Sequence, residues 1–214
     1  MPARLSPGVG TYLYEAGARP HALTGIADGT AGAGVESGIM QEIGYTAFNK
    51  VSHVQHHGGN NDRYEIRYGL DRQRIKSTYY MNGGKAYGRY YLGTYEKDVT
   101  AANGRVTHTD YIYAPTGLAA ICRQQGKEVL YVLTDHMGSV QVLADAAGRT
   151  VTEYRYEAWG GRVLVSGEKG LTDRGYTGHE HLEPLGLIDM NGRIYDPTLA
   201  RFLSPDPYVQ GGGF

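Results

Sequence analysis

Short runs in which tyrosine or another apolar residue alternates with a polar residue recur along the chain. The clearest is residues 153–163, Glu-Tyr-Arg-Tyr-Glu-Ala-Trp-Gly-Gly-Arg-Val. Tyr154 and Tyr156 are two positions apart, so they lie on the same face of a β-strand, with Arg155 on the other face. Similar runs start near residues 12, 45, 63 and 108, and most lead through a turn rich in glycine or aspartate into a second short run. This pattern predicts a series of β-hairpins.

The sequence does not support long helices, because glycine interrupts nearly every window and no apolar stripe of 3.6-residue period persists. Composition points the same way, with 32 glycines and 19 tyrosines against three phenylalanines and one tryptophan. Tyrosine buries its ring while its hydroxyl stays hydrated or hydrogen-bonded. We therefore predict an all-β fold, a thin sheet with at least one polar face. Stacked hairpins satisfy one another's edges, and an ordinary β-sandwich is the alternative architecture.

Charge and cysteine content exclude several classes of protein. The net charge is −1 and the arginines are scattered, so nothing favours nucleic acid or an anionic membrane as a partner. No apolar run is long enough to span a bilayer, and the first residues lack the apolar segment of a secretory signal. Cys122 is the only cysteine, so no intramolecular disulfide forms, and we expect a packed thiol in a strand. These features predict a cytoplasmic protein at synthesis.

Residues 176–207 carry the most specific motif of the chain. Its centre reads Arg-Ile-Tyr-Asp-Pro at residues 193–197, followed by Arg-Phe-Leu-Ser-Pro-Asp-Pro at residues 201–207. This run resembles the signature that closes the core of Rhs proteins, the YD-repeat family that includes bacterial polymorphic toxins. Residues 131–149 resemble the beginning of the same core. The upstream hairpins resemble the YD repeats of Rhs proteins and teneurins, with the aspartate mostly replaced or displaced.

The resemblance implies an architecture and a biological setting. In the Rhs family, YD hairpins stack into a curved, spiralling sheet that forms a hollow shell, and a C-terminal core plugs it. The chain then divides into degenerate repeats with glycine-rich loops such as residues 28–38 (residues 1–125), the Rhs repeat-associated core (126–208) and a short tail (209–214). In full-length members, which are secreted or delivered at the cell surface during interbacterial competition, the shell encloses a C-terminal toxin. We expect a non-catalytic fragment of such a shell, without cofactor or metal.

The partners implied by the resemblance are the rest of the shell and a C-terminal toxin, with secretion-apparatus or immunity proteins as further candidates. Nucleic acid binding and membrane insertion are not expected. Within the core, each Asp-Pro pair is expected to end a strand, because proline fixes φ and lacks an amide donor. The arginines can form paired hydrogen bonds that hold the plug in place. The residues expected to form this structural plug are Arg193, Tyr195, Asp196, Pro197, Arg201, Phe202 and Pro207.

Two other functions remain open at this point. Some Rhs cores resemble an aspartic protease that cuts its own chain, which needs two carboxyl groups sharing a proton. Asp206 matches the first carboxylate of that protease, but the second belongs to an Asp-Pro-x-Gly motif that residues 208–214 do not contain. We therefore expect no self-cleavage. Ala200 stands where the family usually has glycine, so a left-handed backbone there is expected to be strained. The third possibility is a carbohydrate-binding or adhesive surface of stacked tyrosines.

Two further groups of residues have chemistry of their own. His179 and His181 fall on one face of a strand, about 7 Å apart, and could be considered zinc ligands with a nearby glutamate. No further ligand stands at a telling spacing, and structural histidines are favoured. Asp135, His136 and Ser139 are the residue types of a catalytic triad. Because they are nearly contiguous, a turn is favoured over a hydrolase site.

Overall fold

The computed structural model describes residues 11–14, 22–27, 39–57, 61–124 and 127–206. The first fourteen strands form one antiparallel sheet in which each strand pairs with its neighbours along the chain. This large sheet consists of β1 (Thr11–Tyr14), β2 (Leu23–Ala27), β3 (Ile39–Tyr45), β4 (Val51–His56), β5 (Arg63–Tyr68), β6 (Arg74–Met81), β7 (Gly84–Leu92), β8 (Tyr95–Thr100), β9 (Val106–Ala114), β10 (Gly117–Arg123), β11 (Glu128–Thr134), β12 (Val140–Ala144), β13 (Thr150–Tyr156) and β14 (Arg162–Gly167). The prediction of an all-β fold of successive hairpins is confirmed.

A second, smaller sheet follows, which we call the plug sheet. It consists of β15 (Glu180–Leu182), β16 (Leu187–Asp189), β17 (Ile194–Asp196) and β18 (Arg201–Phe202), all antiparallel. A 3₁₀ turn (Tyr176–Gly178) precedes β15 and a second (Glu183–Leu185) joins β15 to β16. In the β15–β16 pair, Glu180 lies opposite Asp189. Two carboxyl groups therefore start out as cross-strand neighbours.

Turn chemistry explains why the hairpins form where they do. Asn82 and Gly83 both have positive φ, 51° and 76°, which suits the two-residue connection between β6 and β7. Asp135 closes the β11–β12 turn by accepting hydrogen bonds at Oδ1 from the amides of Met137 (2.9 Å) and Ser139 (2.8 Å). This geometry confirms the turn interpretation of the triad-like residues. Predicted features at residues 15–17 and 28–38 lie outside the described residues.

Two apolar clusters cover the same face of the large sheet. The plug sheet supplies part of the first cluster, so it packs directly on the large sheet. The members of that cluster are Tyr12, Leu23, Ile43, Val51, Val54, Tyr64, Ile66, Tyr79, Leu182, Leu185, Leu187, Ile194 and Leu203. The second cluster consists of Tyr111, Leu118, Ile121, Leu130, Val140 and Leu143 on β9–β12, together with Leu171 from the chain after β14. The core is thus the contact between the large sheet and the chain that follows it.

The outer face of the large sheet is exposed over a long stretch. Ile112, Tyr131 and Leu133 are each about half exposed there, whereas their strand neighbours Tyr111, Leu130 and Val132 belong to the second cluster. Alternation along each strand produces this difference, as the sequence predicts. Cys122 lies part-buried in β10. The predicted division near residue 125 falls between β10 and β11, which pair with each other, and the division itself stays a prediction.

Candidate functional site at the junction of the two sheets

Charged side chains from both sheets meet where the plug sheet contacts β6–β8. We call this group the junction cluster. The large sheet contributes Arg74, Arg89, Glu96 and Asp98, and the following chain contributes Asp173, Arg174, Glu180 and Asp189. Buried charges require partners, because removing an ion from water costs several kcal/mol. The two sheets therefore have to be positioned so that each buried charge of the cluster meets a partner of opposite charge.

Glu180 is the centre of the cluster. Arg74 Nη1 donates to its Oε2 at 2.6 Å, and Arg89 Nη1 donates to its Oε1 at 2.7 Å. The Tyr91 hydroxyl adds a hydrogen bond to Oε1 at 3.1 Å. Burial alone would raise the pKa of Glu180, but Arg74 and Arg89 outweigh burial and lower the pKa to about 2. The carboxylate is therefore ionised and joins two strands of the large sheet to the plug sheet.

Arg89 uses its whole guanidinium group. Its Nε and Nη2 donate to the two oxygens of Asp98 at 2.7 and 2.8 Å, a paired arrangement of high directional specificity. Nη2 also lies 2.7 Å from Asp173 Oδ2, and Nη1 bonds Glu180. Glu96 on β8 lies 3.6 Å from Arg89 Nε, pairs with Arg174 and accepts a 3.1 Å hydrogen bond from the Tyr111 hydroxyl. Both arginines thus tie strands of the large sheet to the chain around the plug.

A second set of contacts fastens the end of the plug sheet to β1–β3. Arg201 Nη1 donates to the Tyr14 hydroxyl at 2.6 Å, and its guanidinium lies 5.1 Å from the centroid of the Tyr12 ring. The Leu203 carbonyl accepts hydrogen bonds from the Leu23 amide (3.0 Å) and the Tyr45 hydroxyl (2.8 Å). The plug sheet is therefore fastened to the large sheet at two places, at β6–β8 through the junction cluster and at β1–β3 through Arg201 and Leu203.

Most residues that the sequence assigns to the plug lie together in β17, β18 and their connection. Tyr195 and Phe202 are cross-strand partners with ring centroids 5.3 Å apart, and Arg193 stacks on Phe202 at 3.7 Å. Pro197 begins the turn between the two strands. Ala200 has φ of 52°, the left-handed conformation that the sequence indicated. Pro207 lies outside the described residues.

Asp196 and Asp206 have different surroundings. Asp196 is buried and its Oδ1 accepts hydrogen bonds from the amides of Thr198 (2.8 Å) and Leu199 (3.1 Å), which shapes the turn. Burial raises the pKa of Asp196 above its usual value. Asp206 is about half exposed, and its Oδ2 lies 3.2 Å from Arg193 Nη2. Asp206 is therefore held by an ion pair, the type of contact expected of a structural residue.

The two histidines have protein partners. His181 Nε2 accepts a hydrogen bond from the Tyr176 amide at 3.0 Å, and burial lowers the pKa of His181 to about 3. His179 Nδ1 lies 2.8 Å from Thr177 Oγ1, and burial lowers its pKa as well. Across the described ranges, no three His, Cys, Asp or Glu side chains converge as metal ligands. These contacts agree with the structural interpretation of both histidines.

The junction cluster is what sequence reasoning missed. Arg74 and Glu180 are 106 positions apart, so no spacing motif connects them. A weaker signal does exist. Arg89 is in phase with the part-buried Tyr87 and Tyr91 along β7, and a charged residue on the tyrosine-bearing face of a strand marks a position that needs a partner.

The family model described as Teneurin YD-shell matches residues 37–210 of the chain. The chain belongs to the teneurin YD-shell family. This match confirms the predicted Rhs and YD-repeat resemblance.

Solved structures have the same fold as this YD-shell chain. The crystal structure of TcdB2-TccC3 superposes with a TM-score of 0.67 at 20% identity, over 78% of this chain and 9% of that one. The Photorhabdus luminescens Tc holotoxin pore gives a TM-score of 0.65 at 20% identity, over 77% of this chain and 9% of that one. At this identity the likeness establishes the shell fold.

Curated relatives are far longer than this YD-shell chain. The tRNA3(Ser)-specific nuclease WapA of Bacillus spizizenii is 32% identical over 110 residues, 50% of this chain and 5% of the relative. Salivary gland surface protein 1 of Aedes aegypti is 36% identical over 107 residues, which are 49% of this chain and 3% of the relative. The double-stranded DNA deaminase toxin A of Burkholderia cenocepacia is 26% identical over 135 residues, which are 57% of this chain and 9% of the relative. The YD-shell region is thus shared by proteins with different names.

No helix in the described ranges is long and apolar enough to cross a membrane.

Proposed function

We propose that this chain is a non-catalytic structural module of an Rhs shell, which in a longer protein encloses a C-terminal toxin until delivery. The observation that carries the proposal is the plug sheet, which is fastened to one face of the large sheet by an apolar core and a buried ionic cluster. Enclosure requires a wall and a firmly held closure. It requires no reactive group.

The range of relatives supports an architectural role. The matched region is shared with a nuclease, a deaminase toxin and an insect surface protein, and it covers at most 9% of each. A segment that recurs in proteins with such different names is expected to provide a common structure and not their individual activities. We infer that this is the shell, and that the activities named belong to other parts of those proteins. The remaining partners of this chain are then the rest of the shell and its cargo, with secretion or immunity proteins at a later step.

The surroundings of Asp206 favour the structural role over self-cleavage. An aspartic protease needs a second carboxyl group that shares a proton with the first. Among the described residues, Asp206 pairs with Arg193, and the other carboxyl group of the motif, Asp196, accepts two amide hydrogen bonds within its own turn. We propose that both residues hold the plug in shape.

Protease protection of cargo tests this function. The chain is expressed within its full reading frame, and a protease is added under native conditions. The expected result is that the segment after the plug resists digestion in the parent protein. Arg89→Ala, which breaks the tie between β7 and the plug, should expose that segment. Arg155→Ala is the matched control, because Arg155 is 75% exposed on the outer face. A reading frame without a protected C-terminal segment would contradict the proposal.

A further inference from the structure

The junction cluster contains more carboxyl groups than guanidinium groups, five against three. Asp98 and Asp173 are 27% and 29% exposed, so water helps to compensate their charge. Both of them pair with Arg89, which leaves less of its charge for the buried carboxyl groups. Glu96, Glu180 and Asp189 are the ones that are almost fully buried. The three buried carboxyl groups therefore share their three arginines with two further carboxylates, and the cluster as a whole has more negative than positive groups.

Asp189 is the least satisfied of these three carboxyl groups. Its Oδ1 accepts a hydrogen bond from the Asn191 amide at 2.8 Å. Its Oδ2 lies 2.9 Å from Arg74 Nη1, but that nitrogen donates to Glu180 Oε2 and to the Tyr91 hydroxyl. Within the described residues, Asp189 Oδ2 is buried and accepts no hydrogen bond. A buried anionic oxygen in this position is costly, and binding a proton removes its negative charge.

The other charged and titratable groups around Asp189 do not remove this deficit. Lys50 Nζ donates to the Arg72 carbonyl at 2.8 Å, and the Tyr68 hydroxyl donates to the Val51 carbonyl at 2.7 Å. Arg174 is engaged with Glu96. The groups that face Asp189 are Arg74 on β6, Glu180 on β15, Arg174 before β15, Lys50 in the β3–β4 turn, and Tyr64 and Tyr68 on β5.

The oxygens of Asp189 and Glu180 are also close to each other. Oδ2 and Oε2 lie 2.9 and 2.6 Å from the same nitrogen of Arg74, so they are separated by at most about 5.5 Å, the sum of those distances. Two carboxyl groups this close disfavour double ionisation. Because Glu180 receives hydrogen bonds from both Arg74 and Arg89, it is the one that keeps the negative charge.

We propose that Asp189 binds a proton when the plug sheet is docked, so that docking is coupled to pH and loosens when Asp189 ionises. The docked plug then acts as a closure that mild acid tightens and rising pH weakens. Its biological consequence rests on the shell function proposed above, but the proton coupling itself is a property of this chain.

The sign of the coupling follows from linkage. Burial raises the pKa of Asp189, and Glu180 raises it further, against the opposing effect of Arg74. The stability that Asp189 contributes is complete below its unfolded value of about 4 and is lost as pH rises through the raised value. Glu96, whose pKa burial also raises, acts in the same direction. Glu180 acts oppositely, because its contribution is lost as pH falls towards about 2. Docking is therefore tightest in mild acid.

Thermal unfolding of the 214-residue chain at a series of pH values from mildly acidic to mildly alkaline tests the coupling, with Asp189→Asn as the variant. Placing a neutral asparagine beside Arg74 changes the stability at every pH. The informative quantity is therefore how the difference in unfolding free energy between parent and variant changes with pH. The parent should lose its advantage as pH rises, by up to about tenfold in the folding equilibrium per pH unit for one proton. An advantage that grows with pH would overturn the proposal.

A direct titration keeps the test decisive if the variant fails to fold. The carboxyl ¹³C shift of Asp189 in the parent protein should show that its pKa is raised above the usual range of an aspartate, and a pKa at or below that range would refute the proposal. The carboxyl ¹³C shift of Glu180 in the same parent protein provides the contrast, since Glu180 should be ionised over the same range. Neither measurement involves cargo, so failure of the shell function would leave these results unchanged.

Discussion

Replacing Glu180 by glutamine removes the negative charge at the centre of the junction cluster while keeping the shape of the side chain. Arg74 and Arg89 then remain buried with less compensation. Two routes give the expected cost. The pKa of Glu180 falls from 4.5 to about 2, and at about 1.4 kcal/mol for each pKa unit this corresponds to about 3 kcal/mol. Breaking a buried ion pair by removing one partner typically costs about 3–5 kcal/mol.

The two routes agree on about 3 kcal/mol at neutral pH. For a chain of this size each kcal/mol shifts the melting temperature by about 2–4 °C, so we expect Glu180→Gln to melt about 6–12 °C below the parent. Differential scanning calorimetry or circular dichroism at pH 7 measures this. Glu153→Gln is the matched control, because Glu153 pairs only at 3.9 Å with the exposed Arg155, and surface pairs contribute about 0–1 kcal/mol.

The pH dependence provides the stricter test of the same reasoning. Because the pKa of Glu180 is lowered on folding, its contribution is present above about pH 4.5 and disappears as pH falls towards 2. The melting temperatures of the parent and of Glu180→Gln should therefore converge in acid. A gap that stays constant down to pH 3, or a loss at pH 7 no larger than that of the Glu153 control, would refute the central role of Glu180.

Further predictions concern the plug and the turns. Leu203→Ala should destabilise the fold by about 2–5 kcal/mol in chemical denaturation, because Leu203 is fully buried between the sheets. Ala200→Gly should stabilise the fold by up to about 1 kcal/mol, since φ at this position is 52°; a loss of stability would argue against strain. Leu70→Ser should change stability by less than about 0.5 kcal/mol, because Leu70 is fully exposed in its turn. Intact mass spectrometry should show the chain uncut at 23.4 kDa over time, and Asp206→Asn should likewise give no cleavage product.

Local chemistry made the large sheet predictable. Alternation of tyrosine with polar residues sets which side chains share a face, and Asn-Gly, Asp-x-x-Gly and similar turns set where each strand reverses. In such a sheet each strand pairs with its neighbour along the chain, so the contacts that define the topology are short in sequence. Strands β17 and β18 of the plug could also be predicted from the sequence, because the run around residues 193–206 places its turn residues at fixed offsets. The left-handed Ala200 is a further example.

The junction cluster depends on distance in the fold. Whether Glu180 is a surface carboxylate or the buried partner of Arg74 and Arg89 is decided only when the plug sheet lies on β6–β8. The same holds for Asp189, whose burial and unsatisfied oxygen exist only in the docked state. The sequence by itself determined the strands, their order and the family they belong to, since those rest on neighbouring residues. Only the tertiary structure decided which charges are buried together, because buried electrostatics depends on partners far apart in the chain, such as Arg74 and Glu180, which are 106 positions apart.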